Sequence, residues 1–370
     1  MRFLTLLILC FVHFAQSSFK STFLLDYNFY LDNTENTFPY EETRTLFSHS
    51  LDPIFRLSFE DGALDIGSSL ILTMGEGFKA PKVLPILALK MQHELDYATF
   101  YANFGSFKKP YEISEISPQI SKISINDAKI HLSPLFFNEE NIFYKPLING
   151  ASLGFLSDDA HVGLVFDWYG GNLQKRFDEF YVLLHGLYHF GSVAFGAHAK
   201  LDHFKNDFVL KRAKSDAYLL DRLFYSAFVY VDLLPFINAP ISIKSAFLRL
   251  SSLNLNERLR TLGGFNFGKD GSFYGFGAEA RSGISFELSQ NQSIGFEAKI
   301  YTGSSLLQYF KIFGRELYAG DSLYQSPFYG GFSAFYEFKG RSFDAHFELD
   351  FYKTKEAFSN AQLLKIRLSL

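Results

Sequence analysis

Residues 343–352 read Phe-Asp-Ala-His-Phe-Glu-Leu-Asp-Phe-Tyr, and this stretch decides the fold. Apolar side chains such as Phe343 and Phe347 share one face of the stretch, whereas Asp344 and Glu348 share the other. Successive side chains of a β-strand point to opposite faces, so an alternation with a period of two and no slip predicts a strand.

The same alternation resumes after a polar turn over residues 353–360. Between residues 364 and 370, apolar side chains alternate with Lys365, Arg367 and Ser369. The two stretches together predict a hairpin with one apolar face and one polar face. Such a hairpin fits a soluble sandwich, and it equally fits a sheet that closes on itself in a bilayer.

The N-terminus carries the pattern of a secretory signal peptide. Arg2 precedes an apolar run over residues 3–14, and small residues follow at positions 15 and 17. This layout predicts cleavage after Ser17. A lipoprotein signal at Cys10 is disfavoured because the residue before it, Leu9, is bulky. Cleavage removes the only cysteine, so the mature chain is predicted to contain no disulfide.

The composition excludes several classes of protein. The chain is 18% aromatic, with 45 Phe and 21 Tyr, whereas disordered chains are poor in aromatic residues. Without Arg2 the formal charge is −5, which leaves no basic excess for binding nucleic acid. No segment offers the roughly 20 uncharged apolar residues that a membrane-spanning helix requires.

Alternating stretches and turn signals fill most of the chain. Residues 23–29 predict a first strand, and Asp61-Gly62, Asp270-Gly271 and Gln290-Asn291 predict hairpin turns. Residues 33–49 are polar and predict a loop. We expect the first and last strands to pair with each other, since a barrel closes in this way.

Residues 105–146 interrupt the pattern. This segment contains Pro110, Pro118, Pro134 and Pro146, and proline cannot donate a hydrogen bond to a strand ladder. Any strands here should therefore be short, bent or at an edge. Two interpretations remain open: a long loop on the outer surface, or a segment that folds into the barrel and narrows or plugs it.

The long, uninterrupted series of predicted strands favours a barrel over a sandwich. A soluble all-β chain of this length would usually divide into domains with visible linkers, and none is evident. The sequence therefore predicts an all-β protein in which residues 18–370 form one transmembrane up-and-down antiparallel β-barrel. At roughly ten residues a strand, about 14 to 18 strands are expected, with 16 as the central value.

At this point the chain resembles the outer-membrane β-barrel proteins of Gram-negative bacteria, in particular the porin-like class. The resemblance rests on the signal peptide, the high content of aromatic residues and the uninterrupted hairpins. It is incomplete at the C-terminal residue, which is Leu370 here and typically aromatic in that class. It implies contact with outer-membrane lipid, insertion by the barrel-assembly machinery, and passive diffusion of small hydrophilic solutes. The solute and the oligomeric state stay open.

In such a channel the polar face of each strand lines a charged lumen. Solutes would be selected by their size and by the electric field of lumen charges of both signs. The candidate lumen-lining residues are Glu279, Arg281, Glu297, Lys299, Asp344, His346, Glu348, Asp350, Lys365 and Arg367.

Two other functions remain as alternatives. A barrel hydrolase acting on lipid or peptide could use Asp344 or His346 with a serine from a neighbouring strand. A closed structural barrel or adhesin would have a filled lumen. His185 and His189 lie about 13 Å apart along an extended strand, too far to share a metal ion. The sequence predicts no metal site, no cofactor and no catalytic residue.

Overall fold

The computed structural model describes residues 19–36, 43–75, 81–112, 130–168, 179–206, 217–237, 242–262, 271–308 and 318–370. The predicted signal peptide lies outside these ranges. No helix among the described residues is long and apolar enough to cross a membrane.

The described chain is built almost entirely from β-strands. The strands are β1 (Lys20–Asn36), β2 (Arg44–Phe59), β3 (Gly62–Gly75), β4 (Lys82–Leu95), β5 (Ala98–Lys108), β6 (Tyr111–Glu112), β7 (Ile130–His131), β8 (Leu147–Leu156), β9 (Ala160–Trp168), β10 (Glu179–Phe190), β11 (Val193–Asn206), β12 (Ala217–Asp232), β13 (Ile243–Leu262), β14 (Gly271–Ser289), β15 (Gln292–Gly303), β16 (Phe328–Lys339), β17 (Phe343–Thr354) and β18 (Phe358–Ser369). One α-helix, α1 (Glu139–Tyr144), and two 3₁₀ turns, Leu234–Phe236 and Ser322–Gln325, complete the elements.

Sixteen of these strands form a closed antiparallel barrel in up-and-down order. Each wall strand pairs with its neighbours in sequence, except that β8 follows β5 because β6 and β7 form a separate parallel pair. The predicted fold class and the central strand count are confirmed. Several two-residue turns, such as Gln290-Asn291, mark one end of the barrel, here called the turn end; β13 and β17 finish at the opposite loop end.

The barrel closes through its first and last strands. β1 pairs with β18 so that Tyr27 lies opposite Leu368 and Phe29 lies opposite Ile366. Beyond this ladder, Leu25 and Leu370 exchange two backbone hydrogen bonds of 3.0 Å. The predicted closure is therefore confirmed.

The loop predicted over residues 33–49 is wrong over its described parts. β1 continues to Asn36 and β2 begins at Arg44. Asp32 is only 3% exposed and accepts a hydrogen bond from the hydroxyl of Thr34. Polar composition misled the prediction because these side chains face the inside of the barrel.

The two faces of the wall differ as alternation requires. On β14, Phe276 on the outer face is 71% exposed, whereas Glu279 and Arg281 on the inner face are each 3% exposed. Exposed apolar side chains such as Phe23, Leu87 and Phe296 repeat the pattern around the barrel. The outer surface is thus an apolar belt, and charges are concentrated inside.

The described parts of two connections lie inside the barrel. The chain leaves the wall after β5 and returns at β8, where the N–H of Lys109 donates to the Pro146 carbonyl over 2.7 Å. We call residues 130–146 the first inner segment and residues 318–327, between β15 and β16, the second inner segment. Side chains of the two inner segments contact inward-facing residues of strands on different sides of the ring.

Candidate functional site

Helix α1 of the first inner segment is held against β1 and β2. Asn138 caps the helix, because its side-chain oxygen accepts the N–H of Asn141 over 2.7 Å. The ring of Phe143 stacks on Tyr30 with 5.3 Å between centroids, and the hydroxyls of Tyr144 and Ser48 share a hydrogen bond. Aromatic packing and a cap therefore fix a helix that would be too short to be stable alone.

The residues before α1 fill the opposite side of the lumen with apolar side chains. Phe136 and Phe137 are fully buried in a cluster that includes Tyr181 and Leu183 of β10 and Leu253 of β13. Burying a Phe side chain contributes about 1.5–3 kcal/mol relative to exposing it. This half of the lumen is therefore packed with side chains from the inner segment and from the wall.

The second inner segment binds the first through its backbone. The N–H of Asn138 donates to the Ala319 carbonyl, and the N–H of Asp321 donates to the Pro134 carbonyl, each over 2.7 Å. Between these two bonds, a Cβ on Gly320 would lie 2.1 Å from the Leu135 carbonyl oxygen. Only glycine allows so close an approach. The two segments form one unit inside the barrel.

A buried carboxylate ties this unit to the wall. Glu279 accepts hydrogen bonds from Arg281 Nε at 2.7 Å, from the Tyr324 hydroxyl at 2.5 Å and from the Tyr329 hydroxyl at 2.6 Å. Burial, and then the Glu279 charge, raise the pKa of Tyr324 well above its usual range, so the phenol keeps its proton. Ser133 of the first inner segment contacts the same hydroxyl at 3.4 Å.

Basic side chains surround the packed half of the lumen. Lys200 is 1% exposed; its Nζ lies 2.9 Å from Asp202 and 4.2 Å from the centroid of the Phe137 ring. Arg222 approaches Asp202 at 3.4 Å. Burial lowers the pKa of Lys109, where the chain enters the lumen, to about 7; Asp167 opposes this shift. Lys200 and Arg222 are thus both paired with the carboxylate of Asp202.

The wall formed by β1 to β5 carries a second set of ion pairs, which water reaches. Lys108 Nζ lies 2.8 Å from Asp26 and 2.7 Å from Asp52, so it bridges two strands. Asp65 is held by Arg56 at 2.6 Å and by Lys90 at 3.0 Å; the three cationic side chains are between 21% and 33% exposed. Partial exposure distinguishes this polar side from the packed half.

The residues predicted on β14 and β15 lie on the inner face. Glu279 and Arg281 belong to the buried network with Tyr324. Glu297 lies 3.9 Å from Arg281, and Lys299 donates to the Tyr352 hydroxyl over 2.7 Å.

The predicted residues on β17 form short-range pairs on one face. His346 lies 3.2 Å from Glu348 and stacks on the Phe335 ring. Asp350 accepts a hydrogen bond from the Ser333 hydroxyl. Asp344 is opposite Arg367 in the strand register. A serine beside His346, which the hydrolase hypothesis needs, is not found among the described residues.

On β18, the two predicted cations differ in their contacts. Lys365 Nζ lies 2.7 Å from Glu139 of α1, whereas Arg367 lies 3.8 Å from Asp26 and is half-exposed. Lys365 thus connects the wall to the inner segment.

Sequence reasoning missed several residues of the partly exposed side. Asp26, Asp52, Asp65 and Lys108 were not among the predicted lining residues. The signal was present for Asp26, which alternates with Leu25 and Tyr27 along the first strand. Lys108 could not be found in this way, because its contacts depend on where the chain leaves the wall.

A group of histidines lies on the inner wall near the turn end. The register places His198 directly opposite His185. The rings of His161 and His185 are 4.4 Å apart, and the Tyr101 hydroxyl lies 2.9 Å from His161 Nε2. In the described part of the chain, no three His, Cys, Asp or Glu side chains are arranged to hold a metal ion.

Comparison with solved structures finds outer-membrane porins and related barrels. OmpT of Vibrio cholerae in its trimer form is 10% identical, with a TM-score of 0.47 over 95% of this chain and 100% of that one. The anion-selective porin of Comamonas acidovorans is 10% identical, with a TM-score of 0.45 over 96% and 100%. OprD of Pseudomonas aeruginosa is 8% identical, with a TM-score of 0.42 over 95% and 93%.

Similarity at this level concerns architecture alone. The evidence for the porin-like architecture expected from the sequence is the closed ring of strands in this structure. No family model and no curated protein sequence matches the chain.

Proposed function

We propose that this protein is a porin-like channel of the outer membrane, through which small hydrophilic solutes diffuse passively. It would be exported by the signal peptide of residues 1–17 and inserted by the barrel-assembly machinery. The apolar outer belt and the charged interior support this location, because lipid faces the outside of a membrane barrel and water fills its lumen.

The observation that carries the proposal is the asymmetry of the lumen. One half is packed by Phe136 and Phe137, whereas Lys108 and Asp26 on the other side stay partly exposed. Solutes would follow this polar side, past charges of both signs and beside α1, which packs against β1 and β2. Size exclusion by the inner segments and the field between the opposed charges would then set selectivity.

In this proposal the predicted lining residues have two roles. Glu279 and Arg281 hold the inner segments in place, since both are buried and bound to Tyr324. Lys365 positions α1 through Glu139. Only the more exposed members, such as Arg367, would meet a passing solute directly.

Swelling of liposomes that contain the folded protein tests this function. Uncharged sugars of increasing size should enter at rates that fall steeply with size, because the inner segments narrow the path. Liposomes with heat-denatured protein provide the control. No swelling with even the smallest sugar would contradict the channel.

The packed half of the lumen favours one alternative, a closed structural or adhesin barrel. The apolar cluster joins both inner segments to the wall through side chains such as Leu132, Leu307 and Leu323. A closed barrel would give neither swelling nor conductance, although it would fold and insert normally.

A further inference from the structure

A row of polar side chains crosses the outer surface of the barrel near the loop end. The strand registers place His203 of β11, Asp221 of β12, Arg258 of β13 and Ser272 of β14 side by side. The neighbour of Arg258 in sequence, Glu257, is fully buried on the inner face. Alternation therefore turns the row outward.

This row lies at the boundary of the apolar belt. The next outward-facing row lies two residues closer to the turn end. It consists of Leu201 on β11, Leu223 on β12, Asn256 on β13 and Tyr274 on β14. Tyr274 is 72% exposed. Exposed aromatic side chains next to a charged row are typical of the depth at which lipid headgroups meet the wall of a membrane barrel.

The row carries excess positive charge. Arg260 follows Arg258 on the same face, about 7 Å away along the strand. Asp221 is shared between Arg260 at 3.0 Å and His203 at 2.7 Å. Arg258 is exposed and makes no ion pair within the part of the chain that the structure describes. Among the described side chains of this row, one carboxylate thus faces two guanidinium groups.

We propose that Arg258 and Arg260 bind the phosphate of a membrane lipid in the leaflet at the loop end. A guanidinium group presents a planar fork that matches two phosphate oxygens, and it is less strongly hydrated than an ammonium group. The acyl chains of the same lipid would lie along Leu223 and Tyr274. This site rests on the proposed membrane location, but it is independent of whether the lumen conducts.

A second copy of this chain fits the row less well. A symmetric interface places the same patch on both subunits, so it would bring arginines of one copy near those of the other. Like charges face to face oppose association. A lipid phosphate supplies the missing negative charge.

Native mass spectrometry of the full-length folded protein in nonionic detergent tests the site. Phosphatidic acid should bind at least tenfold more tightly than phosphatidylcholine. R258Q/R260Q should weaken the binding of phosphatidic acid at least fivefold. The control variant K353Q/K355Q removes two exposed cations at the same end of the barrel, at β17 and the turn after it, and should change the affinity less than twofold.

Three results would overturn the inference. Both double variants could lose affinity equally, which would indicate a general charge effect at the rim. Millimolar inorganic phosphate could displace the lipid, which would indicate a site for free phosphate. A dimer that dissociates on R258Q/R260Q would indicate a second copy.

Should R258Q/R260Q not fold, R258Q alone should still weaken binding at least twofold. Loss of conductance with intact lipid binding would contradict only the proposed channel.

Discussion

Lys365 Nζ on β18 lies 2.7 Å from Glu139 Oε1 on α1, so a wall strand is ion-paired with a helix inside the barrel. Both side chains are about one quarter exposed, so the pair is worth well under the value of a buried one. The ion pair matters because of where it lies. It holds one end of α1, whose other end is fixed by Tyr144.

Lys365→Gln should loosen α1 at the partly exposed side of the lumen. We expect larger fluctuations of the open-channel current, because the helix loses its contact with β18. Single-channel recording measures this. Arg367→Gln is the control for loss of a lining charge: Arg367 contacts Asp26 and not the inner segment, so R367Q should change the size or selectivity of the current without the larger fluctuations. Identical recordings for K365Q and the unmodified protein would show that the aromatic contacts hold α1 without the ion pair.

Glu279→Gln should reduce the free energy of unfolding by about 3 kcal/mol, because the buried Arg281 loses the carboxylate at 2.7 Å, and Glu297 lies farther away at 3.9 Å. Tyr324→Phe should cost about 1.5–3 kcal/mol, the value of one hydrogen bond to a charged group. Urea unfolding in detergent measures both. Tyr274→Phe, on the outer face, should change little. Equal effects for Y274F and Y324F would refute the proposed tie between the inner unit and the wall.

Gly154→Ala should destabilise the barrel by about 1–3 kcal/mol, the usual cost of overpacking. A Cβ at Gly154 would lie 2.2 Å from the Tyr101 ring, whose buried side chain cannot move away. Gly330→Ala is the matched control in another strand, because nothing lies within 4 Å of its Cβ position. Midpoints of urea unfolding should fall for G154A only. A fall of equal size for G330A would mean that strand flexibility, and not the close contact, decides the effect.

The pKa of Lys109, lowered by burial to about 7, predicts a pH dependence of stability. Above pH 7 the folded state releases this proton, whereas the unfolded chain keeps it up to the ordinary lysine pKa. The unfolded state then binds more protons, so this group adds stability as pH rises from about 7 towards 10. Below pH 7 its contribution is constant and unfavourable. Lys109→Met should remove this rise, measured as the change in unfolding free energy between pH 7 and pH 9. Parallel pH profiles for both proteins would contradict the burial of this charge.

The wall could be predicted from sequence because alternation records which face each side chain occupies. Residues 343–352 and 364–370 gave both strands of the last hairpin and their closure with β1. The same rule failed over residues 33–49, where polarity was taken as a loop although it marks a polar inner face. Alternation was therefore a better guide than composition.

The packed half of the lumen could not be predicted in the same way. On β10, Tyr181 and Leu183 face inward while Val182 and Leu184 face outward, so the strand reads as a continuous apolar run. Such a run indicates apolar contacts on both faces. It does not say that Phe136 and Phe137, more than forty residues earlier, make those contacts. That information lies in the path of the first inner segment.

Conductance of the folded protein in planar lipid bilayers tests the central claim most directly. We predict discrete, uniform current steps. Their ion selectivity should change when Lys108 is replaced by Gln, because Asp26 and Asp52 then lose the positive charge of Lys108. Folded, inserted protein that never produces a current step would contradict the channel and leave a closed barrel.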